Sequence, residues 1–171
     1  YVDDSLPKYK YWAYIDEMVP YHTDMMLMGI NQPICEEDIY YKEINIFFDM
    51  VEKLTGIKVI ILGYQKAKYL KIDREKLFQG RKIIYDKTNE LIKYSDGVLM
   101  HNSSAVSFPV IYKKKIMFLL SENYNLLYKK SISALAAELG EDPINISKSP
   151  AINFSKIFNN EKYEQFFRKY I

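Results

Sequence analysis

The chain has one cysteine, Cys35, so no disulfide can form within it, and a reducing compartment suits it. Its two histidines, His22 and His101, have no cysteine partners and make a poor zinc set, so no metal site is expected. Neither sign of charge dominates: 24 Lys and Arg stand against 22 Asp and Glu, for a net charge of +2. That balance argues against a nucleic-acid partner. No run of about 18 apolar residues occurs, so no transmembrane segment is expected. A Walker loop and a Gly-x-Gly-x-x-Gly fingerprint are both missing, which weighs against nucleoside triphosphate hydrolysis and dinucleotide binding. Internal repeats and low-complexity linkers are absent as well.

What remains is an ordinary globular composition, 49% apolar and 27% charged over 171 residues, which suits a single domain. The 16 tyrosines, with abundant Lys, Asn and Ile, read as codon bias. Asn-x-Ser triplets at Asn102, Asn145 and Asn153 are expected by chance in such a chain. The sequence opens at Tyr1 without Met or a signal-like segment, which reads as one piece of a longer protein.

Patterning then organises the chain. "YKYWAYIDEM" suggests a strand through Trp12, Tyr14 and Ile15, ending at Asp16-Glu17. "CEEDIYYKEINIFFDMVEKLTG" places Ile39, Tyr40, Ile44, Phe47, Phe48 and Val51 at helical spacing, with acids in its first turn and Gly56 as its stop. "IKVIILGY" is a continuous β-branched run, as in a strand buried on both faces. Residues Gln65 to Gly80 read as a basic loop with one helical turn. Strand and helix then alternate: "RKIIYD", "KTNELIKYS", "GVLMHN", "SSAVSFPVIYK", "KIMFLLS", and a longer helix closed by Gly140. Pro109 makes the fourth of these, a helix, kinked or very short. "EDPINISKSP" reads as a connecting tail before a last helix, "NEKYEQFFRKYI". This alternation predicts an α/β fold: a three-layer sandwich around a Rossmann-like parallel sheet of about five or six strands.

Ligands of such sheets bind beyond the carboxyl ends of the strands. Four strand ends therefore matter: Asp16-Glu17 with His22 and Asp24 beyond, Tyr64-Gln65, Asp86-Lys87-Thr88, and His101-Asn102-Ser103-Ser104. Ser103 and Ser104 fall where a strand turns into a helix, a place suited both to capping and to holding an anion. Taken alone, an ordinary N-cap is the simpler account of the pair. Capping is likewise the simpler account of Thr88, and a core histidine tied to backbone that of His101. Lys113, Lys114 and Lys115 read as a solvated turn. The acidic pair Asp16-Glu17 imitates a receiver module, but neither Tyr64-Gln65 nor His101 supplies its phosphorylatable Asp.

The stretches "DEMVPYHTD", "YYKEINIFFDMVEKLTGIKVII" and "GRKIIYDKTNELIKYSDGVLMHNSSAVSFPVIYKKKIMFL" resemble bacterial surface-polysaccharide (capsule or lipopolysaccharide) biosynthesis proteins. More broadly they are similar to the C-terminal, nucleotide-sugar-binding half of GT-B type, sialyltransferase-like glycosyltransferases, over roughly residues 12–121. The resemblance implies that Ser103 and Ser104 face the nucleotide phosphate. A His-Pro pair of that family is replaced here by Tyr64-Gln65, and a proline before the last matched strand by Lys115. It implies a nucleotide-sugar donor such as a CMP- or UDP-sugar, no cofactor, and a glycan acceptor reached through an N-terminal domain. The acceptor's general base would come from that other half, with Asp16, Glu17 and Asp24 only in reserve, and the catalytic residues stay unassigned. Expected nucleotide-contacting residues are Ser103, Ser104, Thr88, Tyr64, Gln65, Asn102 and His22. Expected placement is the cytoplasm, peripheral at the inner membrane. Two alternatives stay open: a nucleotide-sugar 2-epimerase, and a non-catalytic binding or assembly module.

Overall fold

The structure, a computed structural model, describes residues 6–21, 33–65, 72–148, 150–154 and 158–171. Six strands form one parallel sheet: β1 Tyr11–Ile15, β2 Lys58–Leu62, β3 Ile83–Ile84, β4 Gly97–Met100, β5 Ile116–Leu120 and β6 Ile144–Asn145. Their spatial order is β3-β2-β1-β4-β5-β6. Every pairing is parallel, with Ala13 beside Ile60 on one flank of β1 and beside Val98 on the other. This is the doubly wound Rossmann order, whose direction reverses between β1 and β4.

Among the described residues six α-helices connect and cover the sheet: α1 Glu37–Thr55, α2 Arg74–Leu77, α3 Thr88–Tyr94, α4 Ser107–Ile111, α5 Leu126–Glu138 and α6 Asn160–Tyr170. Side chains alternate along β1, so Tyr14 meets Phe48 of α1 on one face. Tyr11 points the other way and donates its hydroxyl hydrogen to the Leu91 carbonyl of α3, at 2.8 Å. All five residues of β1 are buried, as a central strand clad on both faces requires.

Helix α1 follows its sequence pattern with one change. Tyr40, Ile44, Phe47, Phe48 and Val51 are buried, and so are Tyr41 and Asn45, but Ile39 lies 38% exposed. The buried stripe is therefore rotated past Ile39. Asn45 explains its burial by donating to the Tyr41 and Leu77 carbonyls. The helix stops at Gly56, whose φ of 69° is left-handed and whose N–H returns to the Glu52 carbonyl.

Pro109 leaves α4 only five residues, preceded by a 3-10 turn at Ser104–Val106. The stretch read as a tail contains β6, whose two residues pair with Leu119 and Leu120. So short a strand carries no alternation to recognise. Gly97 sits under the Trp12 indole; a Cβ there would lie 2.2 Å from Trp12 Cζ3. No helix among the described residues is long and apolar enough to cross a membrane.

Candidate functional site

The parallel sheet brings the ends of β1, β2, β3 and β4 to one edge. Neighbouring strands lie about 4.8 Å apart, so the ends of β4 and β2 are separated by about 10 Å, with β1 between them. The residues after these strands are the sequence-expected set, and the edge at β1 and β4 is the topological switch point.

Glu17 leaves β1 and turns inward, with 6% of its surface exposed. Its Oε1 accepts from the backbone N–H groups of His101 and Asn102, each at 3.0 Å. Its Oε2 accepts from the Asn102 N–H and the Tyr128 hydroxyl, again at 3.0 Å. The carboxylate thus occupies the two amides after β4 that an incoming anion would otherwise use. Burial drives its pKa from 4.5 up to about 7, against the pull of these donors.

His101 is fully buried beside it. The Leu119 carbonyl can only accept, so Nδ1, 2.8 Å away, carries a proton. Burial lowers the pKa from 6.5 to about 4, which leaves Nε2 unprotonated at neutral pH. The Tyr14 hydroxyl therefore donates to Nε2 at 3.1 Å, and the Tyr40 hydroxyl donates to Tyr14. This fixed chain makes His101 a core histidine tied to backbone.

Asp16 also faces inward and is held by Arg74, whose Nη2 lies 2.6 Å from Oδ2; the side chains are 0% and 5% exposed. The Met18 N–H donates to Oδ1 at 3.0 Å, and the Tyr64 N–H approaches Oδ2 at 3.5 Å. Burial raises the Asp16 pKa, opposed chiefly by the Arg74 charge.

The serine pair divides. Ser103 Oγ accepts from the Ala105 N–H at 3.2 Å and caps the 3-10 turn. Ser104 is exposed at the first position of that turn, and Asn102 and Ser103 are half-buried. Tyr64 is half-buried and Gln65 exposed beyond β2. Thr88 is half-buried at the first residue of α3, but it is not the cap: Lys87 takes that place, with no side-chain cap bond. The phosphate edge expected at Thr88 thus lacks the hydroxyl cap read from sequence, because α3 starts one residue earlier than a Thr cap demands. His22 and Asp24 lie outside the described residues. Lys114 is not simply solvated, since its Nζ donates to the Ser95 carbonyl at 2.7 Å. Lys115 likewise reaches the Asn153 carbonyl.

Sequence reasoning passed over Arg74, Tyr14, Tyr40 and Tyr128, all of which meet at this edge. Arg74 sat in a stretch read as a basic loop, and tyrosine was too common to single out. Among the described residues no three His, Cys, Asp or Glu side chains gather as a metal set. No family model matches the chain, and neither a curated protein nor a solved structure does.

Proposed function

We propose that this chain binds a nucleotide-activated sugar across the carboxyl edge of its sheet, as the donor-binding part of a glycosyltransferase that builds a bacterial surface polysaccharide. The observation that carries the reading is the reversal of strand order between β1 and β4, with Ser103 and Ser104 leaving β4 at that point. A crevice of this kind is where doubly wound sheets take their ligands. The resemblance of the Ser103–Ser104 stretch to the serine pair of nucleotide-sugar enzymes supplies the ligand class.

The geometry supports a particular division of labour. Ser104, the exposed member of the pair, is the hydroxyl assigned to donate to a phosphate oxygen, while half-buried Ser103 accepts the cap bond and keeps its own O–H. The His101 and Asn102 amides are held by Glu17, so phosphate rests on the outer side of the 3-10 turn. Tyr64 and Gln65 flank the opposite wall.

A second reading, a binding or assembly module without catalysis of its own, is favoured by a specific observation. Asp16, Glu17 and His101 are all committed to internal partners, so none is placed as a base for an acceptor hydroxyl. The same commitment counts against an epimerase, which would draw its acid and base from this edge. The transferase reading requires nucleotide binding; the module reading does not, and gains if none binds.

Calorimetric titration with CMP, UDP and GDP separates the two. A nucleotide at about 100 times its Kd should stabilise the fold by about 2.7 kcal/mol. Ser104→Ala should weaken binding roughly tenfold with little change in stability, whereas Ser103→Ala should also remove a cap contribution of about 1 kcal/mol. Absence of binding by all three nucleotides sinks the reading. Unchanged affinity in Ser104→Ala removes the assigned hydroxyl.

A further inference from the structure

Two clusters of buried polar groups stand at the carboxyl edge, and they differ in one respect. Around Glu17 and His101 the groups satisfy one another, save the Tyr124 hydroxyl, which is buried without a partner among the described residues. Around Arg74 three groups have none.

Arg74 is 5% exposed, with its guanidinium 5.5 Å above the Phe78 ring. Only Nη2 has an acceptor, Asp16 Oδ2; Nε and Nη1 are buried without a hydrogen-bond partner among the described residues. Tyr41 of α1 is 6% exposed, and its hydroxyl is buried without a partner too. Burial raises the pKa of the Tyr41 hydroxyl, and the Arg74 charge opposes that rise. Phe78 lies under both, its ring 5.3 Å from that of Tyr41. Three buried donor groups thus gather about Phe78 with no acceptor among the described residues. Buried donors are normally met, and an orphaned set points to an acceptor that is supplied from outside.

Charge decides what kind of acceptor. Asp16 already cancels the Arg74 charge, and the next residue, Glu17, is another buried acid. A phosphate or carboxylate here would add an uncompensated negative charge to a dry place. We infer that Arg74 and Tyr41 hold an uncharged oxygen of a bound ligand, a carbonyl or hydroxyl, while phosphate stays at Ser104. Asp16 leaves β1, one strand spacing of about 4.8 Å from β4, and Arg74 reaches it from α2, so the donor set lies beside the switch point. The assignment of ligand rests on the nucleotide-sugar reading above; the donor set itself does not.

Tyr41→Phe is the test, because it removes one atom that bonds nothing. Its unfolding by urea should occur at the same denaturant concentration as that of the parent chain, or higher. Calorimetry with pyrophosphate, uridine, cytidine, UDP and UDP-glucose then reads the site. Pyrophosphate should bind both proteins alike. Loss of roughly tenfold or more for uridine or cytidine places the base oxygen at Tyr41, and the same loss confined to UDP-glucose places the sugar there. Arg74→Lys should repeat that pattern. Three results overturn the inference while nucleotide binding persists: equal affinities in Tyr41→Phe and parent, an equal loss for pyrophosphate, or a Tyr41→Phe chain that unfolds more easily because the hydroxyl already held water. Failure of every nucleotide and nucleoside to bind the parent chain removes the nucleotide-sugar reading, and this inference with it.

Discussion

Replacing Glu17 by Gln should change how stability depends on pH, by an amount set by where the carboxylate sits. In the folded chain its pKa is raised from 4.5 to about 7 by burial. The folded state therefore holds this proton more tightly than the unfolded state. The contribution is fully present below pH 4.5 and is lost as pH rises through about 7, a difference of about 3 kcal/mol. His101 has the opposite sign. Its pKa is lowered from 6.5 to about 4, so its contribution is present above pH 6.5 and is lost as pH falls through about 4. In the parent chain the two slopes oppose each other over most of the same interval. Gln has no proton to exchange, so Glu17→Gln exposes the His101 slope. Urea unfolding of both proteins from pH about 4.5 to about 8, under the linear relation between free energy and denaturant, gives the comparison. Relative to the parent, the variant should gain about 3 kcal/mol across that range. A difference between the two proteins that stays flat with pH would refute the claim that the Glu17 carboxyl is buried on the His101, Asn102 and Tyr128 donors.

The mirror experiment is His101→Phe, which removes the acceptor of the Tyr14 hydroxyl and the donor to the Leu119 carbonyl. Two broken buried bonds should cost about 2–4 kcal/mol at neutral pH, and urea melts should show stability falling as pH rises from about 4.5 to about 7, the Glu17 slope now unopposed. Gly97→Ala drives a methyl into the Trp12 ring at the start of β4. Overpacking there should destabilise by about 1–3 kcal/mol and shift the fluorescence of Trp12, the chain's sole tryptophan; an unchanged spectrum and melting curve would deny the contact.

Residues that report only on their neighbours in sequence were legible from the start. The β-branched run at β2, the three- and four-residue spacing of Ile44, Phe47, Phe48 and Val51, and the short helix forced by Pro109 are local patterns, and each appears where it was read. Strand following helix was enough for a parallel sheet. Ile39 shows the limit: its spacing fits the buried stripe, yet the width of that stripe depends on what α1 packs against. The position of Ser103 and Ser104 after β4 was likewise visible, but the engagement of Ser103 as a cap was one of two open outcomes.

What the sequence determined by itself was the order of elements and therefore the edge at which their polar ends collect. The partners at that edge were decided only in three dimensions. Asp16 finds Arg74 across 58 positions, and Glu17 finds Tyr128 across 111. Periodicity carries no information over such separations, because it records which face of one element is dry and not which other element dries it. Two acids that look alike in sequence thus become one half of an ion pair and a carboxyl raised toward neutrality. The physical reason is that burial makes a charge depend on the few donors it meets, and only the closed fold chooses them.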